Sequence, residues 1–219
     1  MIVHQIFINF YNLEEMPELF ITCQKKVLKW VEENNYSYRL WDKKSCDRLI
    51  QKYPEFIEMY NSVKYPIMKV DIIRFIILHY YGGLYLDLDC EPSITRLKKY
   101  DFACAKTLKH KDIRKGDKIK NKLYEIEILQ SCPCNNILTD YLKYVKKQIE
   151  EKDKIKVYDT WKVRYVLQTT GPLSFCRFIK DKKINTYTRR AGSSKDLNDN
   201  AEFISNHSVS YMEIGKMRK

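Results

Sequence analysis

Apolar residues fall into blocks along this chain, and the spacing within each block marks an element. Ile2 to Phe10 is rich in Ile, Val and Phe and predicts a strand. Pro17 opens a helix running to about Val31, with Leu19, Phe20, Cys23, Val27, Trp30 and Val31 on its apolar face. Tyr36 to Trp41 alternates and predicts a second strand. Ser45 is placed to cap a helix whose inward positions are Leu49, Ile50 and Tyr53, and Pro54 starts another short helix. From Ile67 to Tyr81 almost every position is apolar, which predicts a helix opened by Pro66 and buried nearly all round. Gly82-Gly83 stops it, since both residues tolerate positive φ. Leu84 to Asp89 predicts a strand ended by Pro92, and Phe102 to Lys106 another.

The second half is more polar. Lys106 to Lys122 carries eight Lys or Arg against two Asp and predicts a solvated loop. Leu123 to Leu129 alternates as a strand does. Ile137 to Ile149 predicts an amphipathic helix with Leu138, Tyr141, Leu142, Val145 and Ile149 inward. A helix centred on Val163 to Leu167 precedes Thr169-Thr170-Gly171-Pro172, and Pro172 begins a further helix through Ile179. From Asn185 the pattern alternates weakly, as short strands or an ordered loop around Asn206-His207 would. Strands alternating with helices predict an α/β fold with parallel strands. No linker divides the chain, so residues 1–219 are expected to form one domain.

Composition changes this picture little. Net charge is +12, which favours anionic partners such as nucleotides, nucleic acid or an acidic membrane surface. The abundance of Lys, Ile, Asn and Tyr supplies a purely compositional reason for the same excess. The basic loop lacks interleaved aromatic residues for stacking bases, so no nucleic-acid partner is expected. Seven Cys without framework spacing predict reduced thiols. The opening MIVHQIFINF lacks a basic region and a cleavage site. The charge-free apolar run Phe75 to Leu86 is shorter than the roughly 20 residues a bilayer requires. The expected location is cytoplasmic, with any membrane contact peripheral.

Chemistry concentrates between Lys69 and Glu91. Asp71 and Arg74 stand at i and i+3 on an otherwise apolar helix, where charged groups need a partner or a polar pocket. Asp87 and Asp89 end an apolar strand. On a strand they would share a face with Cα atoms about 6.5 Å apart, within reach of one hard cation such as Mg²⁺ or Mn²⁺. The carboxyl ends of strands are also where open α/β sheets bind ligands.

These residues resemble the DXD-containing glycosyltransferases of family 32, which include yeast-type α-mannosyltransferases. They are more distantly similar to the catalytic domains of clostridial glucosylating toxins. The shared pattern is Asp-x-x-Arg on a helix followed by Gly-Gly-x-Tyr-x-Asp-x-Asp, here Asp71, Arg74, Gly82, Gly83, Tyr85, Asp87 and Asp89. Val3-His4-Gln5-Ile6-Phe7 resembles the family's opening strand and Tyr38 to Asp42 its second. Thr170-Gly171-Pro172 matches a late Thr-Gly-Pro element. His207 with Ser210-Tyr211 resembles the closing His-x-x-Ser-Trp, with Tyr211 in place of Trp.

The resemblance implies a GT-A type, Rossmann-like nucleotide-sugar-binding fold with a mainly parallel central sheet flanked by helices. It implies a retaining hexosyl transfer from a UDP- or GDP-sugar to a glycan, lipid or protein acceptor. Asp71 and Arg74 would bind the donor sugar and its phosphates, and Asp87 the ribose or sugar. Asp89 would ligate Mn²⁺ or Mg²⁺, with Asp87 and His207 completing the metal shell. His4, Gln5, Ile6, Tyr85, Gly171, Ser210 and Tyr211 would line the nucleotide-sugar site. No separate base is implied, because the leaving phosphate can take the acceptor's proton. Two alternatives stay open on sequence: a degenerate nucleotide-sugar-binding protein without transfer activity, and a metal-dependent phosphohydrolase or nuclease. His4 can equally be a satisfied strand histidine, and Trp30 and Trp41 are expected in the core.

Overall fold

The structure is a computed structural model, and it describes residues 1–10, 12–107, 123–152, 162–191 and 201–206. Among the described residues eight strands form one sheet: β1 (Ile2–Ile6), β2 (Ser37–Trp41), β3 (Gly83–Leu86), β4 (Cys90–Pro92), β5 (Phe102–Thr107), β6 (Leu123–Ser131), β7 (Asn185–Ala191) and β8 (Phe203–Ser205). Their order is β2-β1-β3-β6-β5-β7-β8-β4. Four pairings are parallel: β1 with β2 and with β3, and β7 with β5 and with β8. Antiparallel pairings join β6 to β3 and to β5, and β4 to β8.

The helices of the described residues that flank the sheet are α1 (Glu18–Glu33), α2 (Lys43–Ile50), α3 (Pro54–Ser62), α4 (Pro66–Tyr81), α5 (Asn136–Lys152), α6 (Lys162–Thr169) and α7 (Pro172–Phe178). The apolar residues form two clusters. Val27, Trp30 and Val31 of α1 pack with Val3, Leu84, Leu86 and Ile128. Ile73, Phe75, Ile76 and Ile77 of α4 pack with Ile6, Trp41 and Tyr85 of the sheet and with Leu138, Leu142 and Phe175 of later helices. Each such side chain contributes about 1.5–3 kcal/mol on full burial. Both tryptophans expected in the core, Trp30 and Trp41, are there. The α4 helix is buried at every position from Val70 to Leu78, which is why its sequence lacks an apolar stripe.

Gly82 and Gly83 turn α4 directly into β3, at φ +63° and +97°. A Cβ on Gly83 would overlap the Ile2 carbonyl oxygen, so this Gly also permits close pairing of β3 with β1.

Several local expectations change. Asp42, not Ser45, caps α2. Its carboxylate accepts from the Ser45 N–H at 2.8 Å and the Ser45 hydroxyl accepts from the Asp42 N–H at 2.9 Å, a reciprocal capping box that starts the helix at Lys43. β3 ends at Leu86, because the ladder to β6 stops there and the Cys90 N–H bonds back to the Asp87 carbonyl at 3.0 Å. Asp87-Leu88-Asp89 is therefore a turn, and strand alternation is not what aims its carboxylates. β7 is a full strand whose hydrophobic alternation is broken by a buried Arg189. The basic loop expected over Lys106 to Lys122 falls outside the described residues beyond Thr107, which closes β5. Among the described residues no helix is long and apolar enough to cross a membrane.

Candidate active site

The middle of α4 and the carboxyl end of β3 meet at Arg74. Its Nη2 donates to Asp71 Oδ1 at 2.9 Å, and Nη1 lies 3.1 Å from Asp87 Oδ1. Nη1 also donates to the Ile126 carbonyl at 2.9 Å and Nε to the Val70 carbonyl at 3.3 Å. The guanidinium lies over the Tyr85 ring, 4.9 Å from its centroid. Thus one buried cation bridges the helix carboxylate and the first carboxylate of the Asp-Leu-Asp turn. Both readings of the Asp71/Arg74 pair hold at once: they form an ion pair, and that pair belongs to a polar cluster.

Asp71 is 1% exposed and its second oxygen accepts from the Thr170 hydroxyl at 2.7 Å. Gly171 follows as the residue capping α7. Burial raises the Asp71 carboxyl above its usual range, against the pull of Arg74 and Thr170. Asp87 is half-buried and accepts from the Tyr85 hydroxyl at 2.5 Å. Its carboxyl is pushed up to about 7, chiefly by burial, with Arg74 opposing and Asp89 and Glu127 adding to the rise. Asp89 is half-buried, and its carbonyl accepts from the Asn206 backbone and side chain at 2.9 and 3.2 Å. Negative charge is thus concentrated at this turn, on oxygen donors that suit a hard divalent cation. Among the described residues no group of three or more His, Cys, Asp or Glu is arranged to hold a metal. A cation here would take Asp87 and Asp89 and complete its shell with ligand oxygens and water, as Mg²⁺-type sites do.

The opening strand supports this turn. Gln5 is fully buried and donates to the Asp87 carbonyl at 3.2 Å. Its own oxygen accepts from the Tyr38 hydroxyl at 2.9 Å, and that hydroxyl accepts from Gln24 at 2.7 Å. Ile6 belongs to the apolar core. His4 is fully enclosed, with both ring nitrogens engaged. Trp41 Nε1–H donates to Nδ1 at 3.2 Å, so Nε2 carries the proton and donates to the Gly82 carbonyl at 2.9 Å. His4 is thus a satisfied strand histidine. His207, Ser210 and Tyr211 lie outside the described residues, although Asn206, held at Asp89, brings the chain to the turn.

Burial lowers the His4 pKa to about 4. The unfolded chain binds a proton here between about pH 6.5 and 4 and the folded chain does not, so stability falls as pH drops through that window. The contribution is about 3 kcal/mol. Asp87 acts oppositely over much of the range, so the clean measurement is a difference. Wild type is expected to lose about 3 kcal/mol more than His4→Gln between pH 7 and 4 in urea unfolding.

Sequence reasoning missed Glu127 and Arg189. The Glu127 main-chain carbonyl accepts the Asp87 N–H at 2.8 Å, and its carboxylate is bound by Arg189 of β7. The available signal was charge inside strands: Glu125 and Glu127 in β6, Arg189 in β7. Thr170, read as part of the late Thr-Gly-Pro element at a helix start, is the partner of Asp71.

Comparison with known proteins then gives this geometry a context. Residues 17–102 match the family described as the glycosyltransferase sugar-binding region containing the DXD motif. That segment holds Asp71, Arg74, Asp87 and Asp89, while β1 and the chain after β5 begins lie outside it. The chain is 36% identical over 109 residues to mannosyl phosphorylinositol ceramide synthase CSH1 of Saccharomyces cerevisiae, covering 48% of this chain and 27% of that protein. It is 35% identical over 102 residues to inositol phosphoceramide mannosyltransferase 3 of Schizosaccharomyces pombe, covering 45% and 27%. The chain thus spans about a quarter of the length of these curated relatives. Among solved structures, PaToxG glycosyltransferase superposes with a TM-score of 0.53 at 14% identity, covering 81% of this chain and 68% of that one. The glycosyltransferase domain of the YGT toxin gives 0.52 at 9%, covering 82% and 76%. The DXD region thus sits on the α/β fold of GT-A glycosyltransferases.

Proposed function

We propose that this chain, as one catalytic domain over residues 1–219, is a metal-dependent retaining glycosyltransferase. It moves a hexose from a UDP- or GDP-sugar to a glycan, lipid or protein acceptor. The observation that carries this reading is the buried Asp71–Arg74–Asp87 bridge set beside Asp89 at the strand ends, inside the segment that matches DXD glycosyltransferases.

Asp87 and Asp89 would hold Mn²⁺ or Mg²⁺, joined by His207 from the tail. When bound, the cation supplies Lewis-acid neutralisation of the charge that develops on the leaving nucleoside diphosphate. Arg74 is already engaged through all three guanidinium nitrogens. Its part in this reading is to hold Asp87, the more exposed carboxylate of the bridge, toward the donor, with Asp71 buried behind it. Gln5, ordered by Tyr38 and Gln24, fixes the Asp87 main chain from the opening strand. Tyr85 fixes the Asp87 carboxyl, and Thr170-Gly171 closes the Asp71 side. Ser210 and Tyr211 would complete the donor site.

The names of the fungal relatives contain a mannosyl group and an inositol phosphoceramide. Mannose is therefore the first donor sugar to test and that lipid the first acceptor. The test is a hydrolysis screen of UDP- and GDP-linked hexoses with Mn²⁺ and no acceptor. Metal-dependent release of free hexose from one of them is expected. Binding without release or transfer would make the chain a nucleotide-sugar-binding protein instead.

A further inference from the structure

A second buried ion pair lies behind the Asp-Leu-Asp turn. Arg189 is 3% exposed, and two carboxylates of β6 face it: Nε donates to Glu127, and Nη2 lies 4.0 Å from Glu125. Burying such a cluster carries a desolvation penalty, and apolar residues of the same volume often fill such a place at no loss of stability. Its position supplies a reason for it. Glu127 gives its main-chain carbonyl to the Asp87 N–H at 2.8 Å, and the second oxygen of its carboxylate accepts from the Ser205 hydroxyl at 3.1 Å. The next residue, Asn206, donates twice to the Asp89 carbonyl. One residue therefore connects to both ends of the turn, directly at Asp87 and through Ser205-Asn206 at Asp89. β8 has three residues, paired with β7 on one side and with β4 on the other, and Ser205 lies opposite Cys90 at the end of both ladders.

We propose that Glu127, held by Arg189, is a positioning residue that sets the placement of Asp89 relative to Asp87. Its functional meaning rests on the reading of that turn as the metal and diphosphate site. The linkage itself does not, and the two are tested separately. Groups that orient metal ligands from behind typically change metal affinity about 10–100-fold when removed.

The experiment compares wild type with Glu127→Ala, Glu127→Gln and Ser205→Ala. It reads amide hydrogen exchange at Asn206 without ligand, and the Mn²⁺ concentration that half-saturates UDP or GDP binding. Glu127→Ala is expected to speed Asn206 exchange by at least about tenfold and to raise the Mn²⁺ requirement about 10–100-fold. Glu127→Gln keeps the shape, can still accept from Arg189 through Oε1 and can donate to the Ser205 hydroxyl through Nε2, and is expected to stay within about threefold of wild type on both readouts. Ser205→Ala cuts the same link without uncovering a charge, so it decides the matter should Glu127→Ala fail to fold. Unchanged Asn206 exchange in folded Ser205→Ala or Glu127→Ala overturns the proposal, as does a Gln variant as impaired as Ala. A wild type that binds neither nucleotide with Mn²⁺ sinks the glycosyltransferase reading alone, and exchange at Asn206 still decides the linkage.

Discussion

Asp89→Ala is expected to remove metal-stimulated donor hydrolysis, a fall of at least about a hundredfold. Lewis-acid stabilisation is worth several kcal/mol, and each 1.36 kcal/mol is about a tenfold change in rate. The fold is expected to survive. Asp89 is half-buried at a turn, and the bonds from Asn206 go to its main-chain carbonyl, which Ala retains. Circular dichroism should therefore overlay that of wild type while activity disappears. Wild-type turnover in a folded Asp89→Ala would show that the metal site lies elsewhere.

Arg74→Met is expected to act on stability as well as on turnover. The substitution leaves Asp71 and Asp87 without their shared cation, with Asp71 fully enclosed. Removing one partner of a buried ion pair costs about 3–5 kcal/mol, much of it from the charge left behind. The Ile126 carbonyl also loses its donor. Urea unfolding is the check, and a loss below about 1 kcal/mol would mean that Arg74 does not organise this cluster. The double variant Arg74→Met with Asp71→Leu should recover part of the loss, because it removes an uncompensated charge along with its partner.

These two residues stood out in the sequence for opposite reasons. Arg74 was legible because a charged pair in a helix with no polar face contradicts its surroundings, and the contradiction needs a site to resolve it. Asp89 was legible only as part of a motif, and the geometry first ascribed to it was wrong. The alternation Leu84-Tyr85-Leu86-Asp87-Leu88-Asp89 runs on unbroken, but the ladder ends where β6 stops pairing, and a neighbour strand some forty residues away leaves no trace in that pattern. The α/β order and the buried helix followed from hydrophobic spacing alone. The antiparallel insertion of β6 between β3 and β5 did not, since the spacing of a strand does not encode its partner. His4 could not be decided for a related reason. Its two ring partners, at Trp41 and Gly82, lie 37 and 78 residues away. Glu127 and Arg189 were hidden because each looks like an ordinary solvent-facing charge until the two strands are brought together across 62 residues.

The central claim is that the Asp71–Arg74–Asp87 bridge and Asp89 form a metal-dependent site for a nucleoside diphosphate sugar. Calorimetric titration of UDP and of GDP into the protein, with Mn²⁺ and after chelation, tests it most directly. One of the two nucleotides should bind with Mn²⁺ present and fail to bind without it. Absence of binding by either nucleotide in saturating Mn²⁺ would contradict the account.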